Sequence, residues 1–225
     1  MPSASRTRRR LTTARERLVD VVDTDVLVWE ALKAPRAARA QLEVELVELR
    51  TTEDVERVTP PEHAAQAIPF VERGDQGFAA VADGRFAGWI WLSRASHRDR
   101  WSGLNVRLAA DEGYAYALWI EPELRPKGVA RVLMVAMLSA VHTDPALTRV
   151  YGWVDRQNRE SQMLLRLLGF KNVQSVKRVM LLDRFGRALP RSDRPAEGPL
   201  SRHGRHRTAM AAEAPVNPLL LGDPL

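Results

Sequence analysis

Cysteine is absent from the 225 residues, which removes disulfides, thiolate zinc sites, iron–sulfur clusters and any thiol nucleophile. That fits a reducing compartment, and a cytoplasmic location is expected. Long apolar runs are missing too. The longest, Val132 to Val141, contains Ser139 and is about half of the roughly 20 residues that a bilayer crossing needs, so no membrane span is expected. Basic charge is scarce in the body of the chain. The net charge is +6, yet Met1 to Arg17 alone holds six arginines against one glutamate. The remainder is close to neutral and offers no basic face for nucleic acid. Acids are lacking before Glu16, a composition shared by disordered arms and mitochondrial transit peptides, and the arm is the preferred reading. What is present is ordinary for a soluble globular protein: 45% hydrophobic and 28% charged residues, enough for one domain with tails.

Leu18, Val21, Val22, Val28, Trp29 and Leu32 fall near helical spacing, so an amphipathic helix is expected from Arg15 to Lys33, stopped before Pro35. Residues 18–40 are read as this helix and a linker. From Gln41 to Leu49 apolar residues alternate with glutamates, the pattern of a strand with one wet face. Thr51 to Asp54 supplies capping residues for a helix, and Pro60-Pro61 ends it or starts another. Gly77 to Ala82 and Phe86 to Ser93 read as a hairpin joined through Asp83-Gly84. The second of these strands is apolar on both parities and needs cover on both faces. A polar link leads to a strand from Tyr114 to Ile120, ended by Pro122. Gly128 to His142 reads as a core helix, Thr148 to Val154 as a strand, Asn158 to Leu168 as a helix closed by Gly169, and Val173 to Leu182 as a last strand. Residues 183–225 lose periodicity and are expected to be tail, with Asn217 to Leu225 as a short docking motif.

One stretch stands above this background, Leu118-Trp-Ile-Glu-Pro-Glu-Leu-Arg-Pro-Lys-Gly-Val-Ala130. A buried strand passes through a short turn into a buried helix whose first turn holds Gly128, Val129 and small Ala130. Such a turn leaves backbone N–H groups free at the positive end of the helix dipole, and Arg125 and Lys127 add charge. A pyrophosphate fits it, since neither Gly128 nor Ala130 obstructs approach to the backbone.

Arg125-x-x-Gly128-x-Ala130 after Ile120-x-Pro122 resembles the acyl-CoA-binding motif of the GNAT superfamily of N-acetyltransferases. Asn158 followed by Gly169-Phe170 resembles that family's later helix, which starts with asparagine and closes with Leu-Gly-Phe. The resemblance spans residues 41–182. It implies an α/β (α+β) fold with a mixed, mostly antiparallel sheet, splayed at its central strands and flanked by helices on both faces. It also implies acetyl-CoA as co-substrate, with no metal. The pantetheine would pair with strand backbone at Leu118, Trp119 and Ile120, the diphosphate would lie on Arg125 to Ala130, and Asn158 would sit near the pantetheine or the thioester. The expected reaction is direct acetyl transfer to a primary amine, in line with the lack of cysteine.

Two positions depart from the family pattern. Pro126 removes one N–H from the phosphate turn, and Leu165 stands where many members place a proton-donating tyrosine, leaving water or Ser161 to protonate the thiolate. These departures motivate the alternative of a degenerate acyl-CoA-binding sensor or scaffold. For the base, Glu121 and Asp155 rank ahead of Tyr114 and Glu112. Bland readings stand beside each candidate. Gly128 and Ala130 also suit close helix–sheet packing, the lesser reading once the Asn158 motif is counted, Asn158 serves as a helix N-cap, and Trp89, Trp91, Trp119 and Trp153 suit the core. Trp101, in the polar link, is the tryptophan placed to touch substrate. His63, His97 and His142 read as surface residues, and His203 with His206 lack further metal ligands. The acceptor amine is unspecified, and a protein partner at the tails or a homodimer is left open.

Overall fold

The structure, a computed structural model, describes residues 19–98, 105–181, 185–190 and 205–207, with side chains over 23–96 and 106–176. The elements run β1 (Val19–Glu30), β2 (Glu45–Leu49), α1 (Thr52–Val58), α2 (Pro61–Glu72), β3 (Gln76–Ala82) and β4 (Arg85–Ser93). A two-stranded ribbon follows, β5 (His97–Arg98) with β6 (Asn105–Val106). Then come β7 (Glu112–Ile120), a 3-10 turn (Pro122–Lys127), α3 (Val129–Thr143), β8 (Arg149–Asp155), α4 (Arg159–Leu167), β9 (Lys171–Leu181), β10 (Phe185–Pro190) and β11 (Arg205–Arg207).

Among the described residues, nine strands form one sheet in the order β11-β10-β9-β1-β8-β7-β4-β3-β2. Each neighbouring pair is antiparallel except β7 and β8, which run parallel. Period-2 alternation sends the two side-chain sets of each central strand into separate cores. On one side, Leu27, Trp29, Ile90 and Leu92 pack with Leu133, Met137 and Val141 of α3 and Leu165 of α4. On the other, Val26, Trp89, Trp91, Tyr114 and Tyr116 pack with Val55 of α1 and Ala64, Ala67 and Phe70 of α2. This doubly covered sheet is the α+β arrangement expected from the two-sided apolar pattern of β4 and β7. The α3 helix alone buries Val129, Leu133, Met134, Met137, Leu138 and Val141, each worth roughly 1.5–3 kcal/mol. At its start α1 has a capping box, with the Thr51 hydroxyl accepting from the Asp54 N–H and the Asp54 carboxylate accepting from the Thr51 N–H.

The expected N-terminal helix is corrected. Residues 19–30 form β1, a strand in the middle of the sheet between β8 and β9, with Val28 opposite Tyr151 and Asp25 opposite Ser175. The apolar positions satisfied a helical period and a two-sided strand equally. The β-branched Val19, Val21, Val22, Thr24, Val26 and Val28 favour the strand, and burial on both faces explains the lack of alternation. Asp25 is 4% exposed and accepts from the Ser175 hydroxyl at 2.6 Å, with Arg156 at 3.6 Å.

From β1 the chain returns to the far edge of the sheet as a strap over α3. Ala31 N–H donates to Thr148 O and Ala31 O meets the His142 ring, both near the C-terminal end of α3. Ten residues later Gln41 N–H donates to Lys127 O, just before its N-terminal end. Beyond β9, Phe185 to Pro190 extends the sheet as β10 where tail was expected. A strand of six residues containing Gly186 and closed by Pro190 carries too little alternation to stand out, and Pro190 is tolerated because β11 pairs only residues 185–187 and leaves that side of β10 open. The basic arm, Trp101, His203 and the motif from Asn217 to Leu225 lie outside the described residues.

Candidate active site

Strands β7 and β8 pair over only four residues each, Glu112 with Arg149 through Ala115 with Gly152. Beyond that they diverge into a fork. The cause lies in β7 itself. Trp89 pairs with Trp119 and Trp91 with Tyr116, so β7 holds one extra residue across this interval, and Ala117 adopts φ +51°. This β-bulge bends the strand away from its neighbour, and a left-handed alanine costs about 1–2 kcal/mol.

The bulge decides which backbone groups face the opening. Glu121 N–H donates to Ala87 O on β4 at 3.0 Å, so by strand alternation Trp119 also turns its backbone to β4, while Leu118 and Ile120 turn theirs to the unpaired edge. Arg125 Nε donates to Ile120 O at 3.4 Å, which agrees with that orientation. An extended ligand with amide groups finds there a ready strand edge.

At its open end β7 runs through Pro122–Lys127 to Gly128, whose φ is +85°. The α3 helix then begins with no side chain bonded to its first amides. Its first N–H groups lie at the positive end of the helix dipole, where negative charge is favoured. Arg125 is exposed and Lys127 half-buried, and neither is in an ion pair among the described residues. The strap closes one side of this turn, with Arg39 O only 3.3 Å and Ala40 Cα 3.4 Å from where a Cβ on Gly128 would stand. Val129 is fully buried and Ala130 half-buried against α3's core. The residues present therefore fit a diphosphate on an extended arm, with one donor fewer at Pro126.

The opposite arm of the fork carries Asp155 and Asn158. Asn158 N-caps α4 by accepting from Ser161 N–H at 3.0 Å, and Asp155 Oδ1 accepts from Gln157 N–H at 2.8 Å. Both are exposed. Glu121 is half-buried at the end of β7. Burial first, then the neighbouring Glu123, raises its pKa above the ordinary carboxylate value, and Arg85 opposes the shift. Tyr114 is 1% exposed, its ring 4.0 Å from that of Trp153 on β8 and stacked on Tyr116. It lies beneath the point where the strands part. Glu112 stands at the closed end of the fork, accepting from the Tyr151 hydroxyl and the Ala109 N–H. Leu165 packs into the α3/α4 core, so the position of the family tyrosine points inward here. Trp89, Trp91 and Trp119 are core residues.

Two features escaped the sequence reading. His63 is not on the surface. It is 7% exposed among the rings of Phe86, Trp89 and Trp119, and burial lowers its pKa. Its spacing to Ala67 and Phe70 along α2 was the available signal. The second is a buried network in which Tyr116 hydroxyl donates to Asp75 Oδ2 at 2.6 Å and accepts from Arg73 Nη2 at 2.7 Å. Arg73 also pairs directly with Asp75. No local pattern marks partners 41 residues apart.

A mixed, mostly antiparallel sheet that opens beside β7 and carries helices on both faces is the fold that the resemblance implied. The comparisons agree. A family model described as Acetyltransferase (GNAT) family matches residues 43–170, more than half of the chain, and the protein belongs to that family. Among solved structures, one from Drosophila is 16% identical with a TM-score of 0.51, covering 78% of this chain and 56% of that one. A tandem GNAT protein from the clavulanic acid biosynthesis pathway is 14% identical with a TM-score of 0.51, covering 80% of this chain and 60% of its own. Both support the fold alone, and this chain spans little more than half of either. No curated protein matches it. Among the described residues no helix is long and apolar enough to cross a membrane, and no group of three or more His, Asp or Glu is placed to hold a metal ion.

Proposed function

We propose that the protein transfers the acetyl group of acetyl-CoA directly to a primary amine. One observation carries this reading: the edge of β7 at Leu118 and Ile120 leads straight to the start of α3, where among the described residues Arg125 and Lys127 form no ion pair. The strand edge holds the pantetheine amides, and the helix start holds the diphosphate. The N–H groups turned toward the fork stabilise negative charge developing on the thioester oxygen, and such preorganised donors give their full effect in a site shielded from water.

The amine attacks as the neutral base. Its nitrogen forms a bond to the acetyl carbon, the carbon–sulfur bond breaks, and the thiolate leaves and takes a proton from water or Ser161. The proton lost by the amine passes to Glu121, directly or through water. A carboxylate whose proton affinity is raised by burial is the better acceptor. Asp155 on the facing arm is the second candidate.

The acceptor is tested in two stages. Calorimetry with acetyl-CoA measures binding, and a thiol-release assay over polyamines, amino sugars, amino acids and peptide N-termini measures transfer. Heat with thiol release from at least one class supports the enzyme. The inward-facing Leu165 and the missing N–H at Pro126 favour a second reading, an acyl-CoA sensor, and heat without thiol release from any amine would support that one instead. Absence of any binding at millimolar acetyl-CoA would remove both.

A further inference from the structure

Ala117 keeps an unfavourable backbone conformation in the strand that borders the fork, and such a residue persists only where its surroundings over-determine it. Its neighbour Tyr116 supplies the restraint. The Tyr116 ring is 6% exposed, stacked on Tyr114 at 5.5 Å and set edge-on to Phe70 of α2 at 5.2 Å. Its hydroxyl reaches out of the sheet to Asp75 and Arg73, which belong to the connection from α2 to β3. That connection is itself fixed, since Asp75 N–H donates to Phe70 O and the carboxylate is 4% exposed. Arg73 lies over the faces of Phe70 and Tyr116 at 5.5 and 5.7 Å. A buried carboxylate with its charge matched by a guanidinium and a phenol has few other arrangements open to it.

We infer that Arg73, Asp75 and Tyr116 form a brace that fixes the Ala117 bulge, and through it the direction of the Leu118 N–H at the fork. These are positioning residues. None of the three needs to touch the acyl group, and the inference rests on the acyl-transfer reading above. The brace ties the reactive strand to a different layer of the molecule, the α2 side. Loosening it should therefore misdirect the amide without removing the phosphate turn, which sits at the far end of β7.

The test uses the full chain and the variants Tyr116→Phe and Asp75→Asn, with Tyr151→Phe as the control that loses a hydroxyl bond at the closed end of the fork. Hydrogen–deuterium exchange, which needs no ligand, is read on the peptide spanning 115–120. Tyr116→Phe and Asp75→Asn should raise exchange there about tenfold while β3 changes little, and Tyr151→Phe should leave it unchanged. Unchanged exchange in both brace variants overturns the inference. With an accepting amine, kcat should fall about tenfold and the KM for acetyl-CoA should stay within twofold. Unchanged kcat, or a KM that rises by as much as kcat falls, also overturns it. Should the wild type release no thiol, the acyl-transfer reading fails separately, and the exchange measurement alone decides the brace.

Discussion

Replacing Gly128 tests the anion site most directly. Its φ of +85° is open to glycine but costs a residue with a side chain about 1–2 kcal/mol. A Cβ would also stand 3.3 Å from Arg39 O and 3.4 Å from Ala40 Cα, closer than comfortable contact, so the strap must retreat by a few tenths of an ångström. The strap is held locally by the hydrogen bond from Gln41 N–H to Lys127 O, and such a bond contributes about 1 kcal/mol. Gly128→Ala should therefore cost about 1–3 kcal/mol, which for a chain of this size lowers Tm by roughly 2–12 °C. Gly128→Val adds two methyl groups at the same place and should cost more. Either change turns the first amides of α3 away from the ligand, and calorimetry should show the affinity for acetyl-CoA reduced at least tenfold. A Gly128→Ala protein that melts within a degree of the wild type and binds acetyl-CoA equally well would refute both the strain and the placement of the diphosphate.

Three further predictions follow from burial and charge. Glu121 must be ionised to accept a proton, so kcat should fall as pH drops through a pKa above the usual carboxylate range, and Glu121→Gln should lower kcat and flatten that limb. For His63 the fold favours the neutral ring, because burial lowers its pKa below the unfolded 6.5. The unfolded chain then binds more protons, so stability should decline as pH falls below about 6.5. In melts between pH 7 and 5, His63→Phe should show a weaker decline than the wild type. Leu165 is 9% exposed in the α3/α4 core, so Leu165→Ala should cost about 2–5 kcal/mol in denaturant titrations. Leu165→Tyr should be destabilised as well, with no gain in kcat, because a phenol there points into the core.

Most elements from β2 to β9 were legible because each carries a local mark, whereas the ribbon of β5 and β6, two residues to a strand, lies in what reads as a polar link. Thr51 and Asp54 announce α1, Asp83-Gly84 the β3–β4 turn, and the apolar face of residues 129–141 the core helix. The passage from β7 through the turn into α3 was legible for the same reason, since all its parts lie within Ile120 to Ala130. Strand β1 was not, because six apolar positions over Leu18 to Leu32 satisfy two periodicities at once, and only its partners on β8 and β9 decide between them. The bulge at Ala117 depends on a register with β4 between residues 25 to 30 apart, and the network at Tyr116 on contacts across 41 to 43 residues, which no local spacing encodes. His63 was misplaced for a related reason. A histidine beside Glu62 and Pro61 looks solvated until Phe86, Trp89 and Trp119 are brought over it.

The insertion of β1 between β8 and β9 has a practical consequence for anyone trimming the gene. Residues 43–170 alone would match the family yet lack β1 and the strands that follow residue 170, leaving β8 as a raw sheet edge where β1 now pairs. Such a fragment should precipitate, or recruit the missing segment from another molecule. An expression clone that respects the architecture has to start upstream of Val19.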